Sequence, residues 1–281
     1  MKAVVSRFAN AVFRAALVVL LIALPSVMLP GTTSDTAQIV ALVAIFAAVF
    51  TLVEYNSAYP SLVEFRDAPP FNRVRFFALF ATVFALTVIA RGKTDPSTFT
   101  IIFDAIGRRI GEAIDFPYSP VRLVVLMMPP DASPALLEDV RTAAGLSYLV
   151  SILSLAVFVV ALRVFGWPAR HGSFNVWVNL PTFDPTAGGD VVDRLNRDAT
   201  VNLVLGFLLP FIIPAFVKLA ADLFDPVSLA NSQTLIWTMS AWAFLPASLL
   251  MRGIAMNRVA DMICQQRRRA YAAPEDGYAT V

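Results

Sequence analysis

The chain has 281 residues, of which 58% are hydrophobic and only 15% charged, with a mean hydropathy of +0.69. Because soluble domains carry charge on roughly a quarter of their residues, this composition excludes the soluble class and predicts an integral membrane protein. One cysteine and one histidine exclude a disulfide scaffold and a Cys/His metal site, and a net charge of +2 gives no bulk attraction for nucleic acid. We therefore expect no metal, no other cofactor and no nucleic-acid partner.

Six stretches without Asp, Glu, Lys or Arg are long enough, or nearly so, to cross a hydrocarbon layer of about 30 Å. Because lipid offers the backbone no hydrogen-bonding partner, and because barrel-type alternation is absent, these stretches should be helices. The sequence therefore predicts an all-α membrane protein, with residues 1–251 forming one polytopic bundle of six transmembrane helices. The predicted spans are 15–34, 36–53, 76–90, 142–162, 199–217 and 226–251.

The third span is the shortest. As a helix, 76–90 would extend only about 22 Å, which is less than the hydrocarbon thickness. Arg73, Arg75 and Arg91 flank it, and their apolar stems can lie along the lipid tails while the guanidinium groups reach the headgroups. We expect the span to cross with this help, and the alternative is a buried core helix or a re-entrant helix.

The first span begins like a secretory signal, because Lys2, Arg7 and Arg14 precede an apolar run. A signal would next show a small-x-small cleavage site, whereas this sequence continues ALPSVMLPG. We therefore interpret the span as a retained helix, with cleavage as the alternative.

The basic residues predict the orientation, because Lys and Arg near span ends resist translocation. Fifteen of them lie on the side that holds both termini, loop 54–75 and loop 163–198, against seven on the other side. Both termini are therefore predicted to be cytoplasmic. Arginine outnumbers lysine 19 to 3, a bias typical of GC-rich bacteria, so we predict a bacterial inner membrane as the location.

Residues 91–141 form the longest predicted translocated segment. Within it, 98–114 has apolar residues at helical spacing opposite a charged arc, which predicts an amphipathic helix at the membrane interface or capping the bundle. This helix either docks on the membrane surface or a partner, or only shields the ends of neighbouring spans. Ser133 and Pro134 then start a helix that continues into the fourth span. The apolar residues of the amphipathic helix are Phe99, Ile102, Phe103, Ile106, Ile110 and Ile114.

The predicted cytoplasmic loops carry charges and one apolar patch. Glu64, Arg66 and Asp67 are expected to be solvated, since charges in exposed loops usually are. Residues 174–183 alternate roughly, which predicts a short strand or an interface-seeking segment, and 190–198 should form a polar helix leading into the fifth span.

The C-terminal part, 252–281, is predicted to be a cytoplasmic basic helix that ends in a mobile tail. The helix should lie against anionic lipid headgroups, at about 1 kcal/mol for each basic residue near the surface. The predicted headgroup contacts are Arg267, Arg268 and Arg269.

Charged residues are confined to the ends of the spans. Arg14, Glu54, Arg163 and Arg252 all stand there, where snorkelling explains them. Because an ionisable residue at mid-bilayer would mark function, this pattern argues against an ion-coupled transporter and against an intramembrane protease.

Neutral polar residues and prolines remain in spans four to six. Small, weakly polar side chains pack helices together in lipid, whereas prolines free backbone carbonyls at depth, as in helices that line substrate sites. These residues therefore predict either helix packing or the path of a small solute. They are Ser147, Ser151, Asn202, Pro210, Pro214, Gln233 and Thr238.

The functional hypothesis that follows is a non-enzymatic accessory, assembly or scaffold component of an inner-membrane complex. Its partners would be anionic lipids and other membrane proteins. The alternative is a small-solute transporter or channel with a neutral polar path along spans four to six. An enzyme acting on a lipid-linked substrate would have Glu64, Asp67, Asp184 and Asp190 available, but their spacing matches no known catalytic arrangement.

Overall fold

The structure is a computed structural model that describes residues 2–168, 174–184, 186–221 and 229–272. Within these ranges the chain forms nine helices and no strand. Six of the helices, α1, α2, α3, α6, α8 and α9, are long and apolar enough to cross a membrane, which confirms the predicted all-α polytopic bundle. The helices are α1 Lys2–Met28, α2 Ser34–Asn56, α3 Phe71–Gly92, α4 Thr98–Ile114, α5 Pro120–Leu126, α6 Pro134–Val164, α7 Val176–Asn179, α8 Val191–Ala221 and α9 Ser232–Ala272.

α1 and α2 form a hairpin whose turn comes earlier than the end of the predicted span 15–34. α1 ends at Met28, because Pro30 disfavours helix in the residue before it and Gly31 takes a φ of +81°. Thr33 then caps α2 by accepting a hydrogen bond from a backbone N–H three residues along the chain. α2 packs on α1 and turns most of its surface outward, so it lies at the periphery of the bundle.

α3 is longer than the 15 residues free of charge. It has 22 residues, or about 33 Å, which reaches across the hydrocarbon layer. It contacts α1, α4, α6 and α9, and its Val83 and Val88 are at most 1% exposed. The third span is therefore both long enough to cross and central to the bundle.

The two prolines of α8 do not end the helix. Pro214 has no N–H, so the carbonyl of Pro210, one turn earlier, has no helical donor. The indole N–H of Trp242 on α9 donates to that carbonyl at 3.3 Å. A neighbouring helix thus satisfies the carbonyl that the proline frees, and α8 remains continuous.

The bundle has a first apolar core between the spans, where Val83 of α3, Ala144 of α6 and Ile236 of α9 are at most 1% exposed. α9 has 41 residues and extends about 60 Å, roughly twice the hydrocarbon thickness. Its second half passes beyond the first core. The fold thus has room for a further layer at that end.

A second apolar core surrounds the second half of α9. Phe65, Trp167 and Leu180, from the loops that follow α2, α6 and α7, pack there with Met256 and Val259 of α9. All five are at most 2% exposed. The loops at this end of the bundle therefore form a folded layer.

Residues 174–183 were predicted to form a short strand or an interface-seeking segment. The strand is wrong, because the segment contains a single helical turn, α7. Asn175 caps it by accepting a hydrogen bond from the N–H of Val178 at 3.4 Å. Phe183 is buried while Trp177 is 54% exposed, so the segment keeps both an inward and an outward apolar side. The predicted polar helix at 190–198 is the first part of α8.

α4 forms where the amphipathic helix was predicted, but it turns a different face to the bundle. Its buried residues are Thr100, Gly107 and Gly111, and Phe103, Ile110 and Ile114 are partly buried against the first core. The remaining apolar residues face outward. These are Phe99, Ile102 and Ile106, with exposures of 52%, 50% and 53%.

Some predictions fall on residues outside the described ranges. These are the mobile tail at 273–281 and the start of the sixth predicted span at 226–228.

Candidate functional site: a folded platform and an arginine-lined cavity

We call the folded layer around the second core the platform. It consists of residues 57–70, 165–168 and 174–184 together with the first turn of α8 and the second half of α9. It lies at the end of the bundle where α2 ends and α3 begins, which is the side predicted to be cytoplasmic. Two buried charged side chains and a third that is partly buried hold it together.

Glu54, at the end of α2, is the first of these charges and is only 3% exposed. Its carboxylate accepts hydrogen bonds from the N–H groups of Ser61 and Leu62 at 3.1 Å and of Val63 at 3.0 Å, and from the Ser61 hydroxyl. These N–H groups belong to irregular chain and need an acceptor when buried. The prediction that Glu54 snorkels to the headgroups is wrong, because the next loop folds around it.

Arg66 is the second buried charge, at 7% exposure. Its guanidinium donates to the carbonyls of Glu54 at 2.8 Å and Ser57 at 2.7 Å, where α2 leaves carbonyls without helical donors. The predicted solvation of this loop's charges is therefore wrong for Arg66. It holds for Asp67, whose side chain is 61% exposed although it lies 3.3 Å from Arg66.

Glu64 is the third of these charges and is partly buried, with a side chain 10% exposed. Arg252 of α9 donates to both of its carboxylate oxygens, at 2.6 and 2.8 Å, and the Thr182 hydroxyl donates at 2.6 Å. The predicted solvation is wrong here as well. One bidentate ion pair thus ties the loop after α2, the segment after α7 and α9 into one layer.

Beside the platform, a cavity of about 1160 Å³ lies between α1, α2, α3 and α9. Leu17 and Leu249 belong to its apolar wall. Phe13, Phe77 and Leu245 also line it, and they are 65%, 63% and 54% exposed. The cavity therefore opens toward the outer surface of the bundle, where lipid would lie.

Arginines line the end of the cavity nearest the platform. The Arg14 guanidinium lies 4.5 Å from the centre of the Tyr55 ring. Arg75 lies 5.0 Å from the centre of the Phe71 ring and donates from Nε to the Ser248 hydroxyl at 3.3 Å. Aromatic rings hold such cations in place without neutralising them.

The charge of the cavity wall is strongly positive. Arg14, Arg73, Arg75 and Arg252 line it with a single carboxylate, Glu64, which leaves a net charge of +3. Among the described residues, Arg14, Arg73 and Arg75 have no carboxylate within 4.0 Å. Guanidinium groups in this state can each offer a fork of donors to an anion.

The residues predicted for helix packing or a solute path do not all meet in one place. Pro214 and Thr238 line a second cavity of about 780 Å³ between α5, α8 and α9. Ser151 and Pro210 line a separate cavity of about 70 Å³, and Ser147 is fully buried in α6 and lines neither.

The other two predicted residues make hydrogen bonds. Gln233 donates to the Ser26 hydroxyl of α1 at 2.9 Å, and Asn202 donates to the carbonyl of Asp198 within α8 at 2.7 Å. The first of these bonds joins two helices and the second stays within one.

The predicted headgroup arginines are divided by the structure. Arg267 donates to the Asp190 carboxylate at 2.6 Å, whereas Arg268 and Arg269 are exposed. The hydrogen bond from Arg267, aided by the N–H of Val192, holds the pKa of Asp190 below its ordinary value of 3.8.

Asp184, which the sequence offered as a surface acid, is held in the same way by a different partner. Hydrogen bonds from the hydroxyl and the N–H of Thr186 lower its pKa below 3.8. Both acids of the platform edge are therefore stabilised in the charged form.

The sequence predicts that each of these arginines stands at a span end, but it does not predict that all four line one cavity. The alternation of successive spans could have shown that they share one side of the membrane. Arg14, Arg73, Arg75 and Arg252 all fall at ends that alternate counting assigns to one side of the membrane. This alternation predicts that the four arginines lie at the same membrane surface. That they line the same cavity follows only from the packing of α1, α3 and α9.

Within the described ranges, no three His, Cys, Asp or Glu residues come together as metal ligands would. Comparison with known proteins finds no match among family models, curated proteins or solved structures.

Proposed function

We propose that this polytopic membrane protein is a non-enzymatic accessory or scaffold component of a bacterial inner-membrane complex, and that the platform is its docking surface. The platform's own apolar core carries the proposal. Loops that only connect spans need no such core. A surface fixed in advance also loses little conformational entropy when a partner binds.

Exposed apolar side chains on the platform support a protein partner. Tyr59 is 74% exposed and Trp177 is 54% exposed. Aromatic residues are enriched in protein interfaces, so these two exposed rings are where we expect a partner to contact the platform. The exposed Arg268 and Arg269 suit anionic headgroups beside such a complex.

Photo-crosslinking in native membranes tests this proposal. A photoreactive amino acid at Tyr59 or Trp177 should give an adduct with the same partner protein from both positions. The matched control is Leu153, which is 54% exposed near the middle of the span of α6 and should give lipid adducts only. Adducts with lipid alone from all three positions would contradict the docking role.

The second candidate function is a path for a small solute, and one observation favours it. The cavity of about 780 Å³ includes Pro214 and Thr238 from the predicted path, with Lys218 and Trp242 beside them. In a Cys264→Ser background, Thr238→Cys should then react with a water-soluble thiol reagent, and Ser240→Cys, at a fully buried site on the same helix, should not. Equal protection of both positions would remove this candidate.

A further inference from the structure

We propose that the arginine-lined cavity binds one anionic lipid of the bilayer through a phosphate-bearing headgroup. Its apolar wall would hold the upper part of an acyl chain, and its arginines would hold the phosphate. Platform residues Leu62, Val63 and Glu64 line one end of this cavity, and its ligand is a lipid, distinct from the partner protein proposed above.

The shape of the cavity fits a molecule that enters from the lipid. Its wall runs along α1 from Arg14 to Leu21, which is about 10 Å at the rise of a helix. The exposed Phe13, Phe77 and Leu245 belong to the same wall, so an acyl chain can enter sideways without leaving the hydrocarbon layer. A soluble anion has no apolar part that could contact this wall.

The charge of the cavity fits a phosphate. Gathering like charges costs energy unless an opposite charge joins them, and Glu64 already pairs with Arg252. Arg14, Arg73 and Arg75 therefore offer three positive charges that no described carboxylate neutralises. The planar guanidinium fork matches phosphate oxygens in two-point contacts, and the net positive charge favours a headgroup whose phosphate charge is not offset by a cationic group of its own.

The depth of the arginines fits a headgroup. Arg73 and Arg75 lie in the first two turns of α3, Arg252 lies just after the sixth predicted span, and the Arg14 guanidinium lies beside Tyr55 in the last turn of α2. All four guanidinium groups therefore lie toward the platform end of the bundle, where lipid phosphates would be, and the apolar wall extends from them along the spans. One amphiphilic ligand satisfies both parts of the cavity at once.

Native mass spectrometry of the full chain tests the site with two lipids that share the phosphodiester. Protein released from mixed micelles should retain one phosphatidylglycerol, which is anionic, and should not retain phosphatidylcholine, which is zwitterionic. Equal retention of the two lipids would overturn the proposal. Protection against thermal unfolding by inorganic phosphate as strong as that by phosphatidylglycerol would also overturn it, because the ligand would then be a soluble anion.

Paired variants locate the binding. Arg14→Gln/Arg73→Gln should bind phosphatidylglycerol about thirtyfold more weakly, since each arginine near a headgroup contributes about a factor of five to six. Arg163→Gln/Arg258→Gln removes two exposed arginines outside the cavity and should bind like the wild type. Equal binding by both double variants would overturn the proposal.

A measurement on the wild type removes any dependence on how the variants fold. Phosphatidylglycerol with a diazirine in its acyl chain should label the cavity wall, at residues 17–21 of α1 and 244–249 of α9. Labels spread evenly over the outward faces of α2 and α6 would show ordinary annular lipid and would contradict a specific site.

Discussion

The two ends of the bundle are built in different ways. At the platform, buried charged side chains make hydrogen bonds with backbone groups that have no partner in a helix. Glu54 accepts hydrogen bonds from three N–H groups, and Arg66 donates to two carbonyls. At the opposite end, α4 packs on α6 where Gly111 meets Gly145. The charges there lie between helices, with Asp115, 4% exposed, within 2.8 Å of two arginines.

The difference follows from where each backbone finds its hydrogen bonds. A helix satisfies its own N–H and C=O groups, so two helices can approach until a Cβ atom stops them. Irregular chain must find acceptors and donors elsewhere, and in a buried layer charged side chains supply them. The platform therefore depends on hydrogen bonds from charged side chains, whereas the contact between α4 and α6 at the opposite end depends on glycines that let the two helices approach closely.

The largest effect that separates the two ends is expected at Glu54. Glu54→Gln removes the charge that four hydrogen bonds share, so we expect a loss of about 3 kcal/mol in the free energy of unfolding. Asp67→Asn makes the same change at an exposed position in the loop that follows α2 and should cost at most about 0.5 kcal/mol. Denaturation of both variants in micelles measures the two losses in the free energy of unfolding. Equal losses would contradict a stabilising role for the buried charge of Glu54.

The next effect is expected at the opposite end. A Cβ atom on Gly145 would lie 2.6 Å from the Cα of Gly111, so Gly145→Ala must push α4 away from α6, at about 2 kcal/mol. Gly188, in the loop before α8, has nothing within 4 Å of such an atom, and Gly188→Ala should be nearly neutral. A neutral Gly145→Ala in the same denaturation experiment would show that helix contact does not limit this end.

The smallest effect concerns the pH dependence of the platform edge. Because the folded-state pKa of Asp190 is lowered by Arg267, its stabilising contribution is present above the ordinary pKa of 3.8 and is lost as the pH falls through the folded value. Arg267→Gln should raise the pKa of Asp190 toward 3.8, as read from its carboxyl carbon in an NMR titration. Asp184, held by Thr186, should not change in that variant. A shift of both acids would mean that the edge had unfolded.

Much of the fold could be predicted because hydropathy and turn chemistry are local. The charge-free windows located the six long helices, and Ser133 with Pro134 marked the start of α6. The end of α1 was placed too late because its predicted boundary followed charge and ignored Pro30 and Gly31. The outward face of α4 was unpredictable from periodicity, since Gly107 and Gly111 form the closest contact with α6 and turn Phe99, Ile102 and Ile106 outward.

The sites were harder to predict because they depend on contacts between distant segments. Glu64 and Arg252 are 188 residues apart, and nothing local distinguishes Glu64 from the solvated Asp67 three residues later. The same holds for Arg14 and Arg75, whose rings and cavity come from the packing of α1, α3 and α9. A sequence shows that a charge stands at a span end, and tertiary packing decides what it contacts.

Both the docking role and the lipid site require one orientation in the membrane, with the platform in the cytoplasm and residues 91–141 on the other side. A paired reporter measures it directly, with green fluorescent protein or alkaline phosphatase fused after Val281 or inserted at Asp131 in the turn before α6. We predict fluorescence without phosphatase activity at Val281, and phosphatase activity without fluorescence at Asp131. The reverse pattern would contradict the account, because it would place the platform outside the cell's interior.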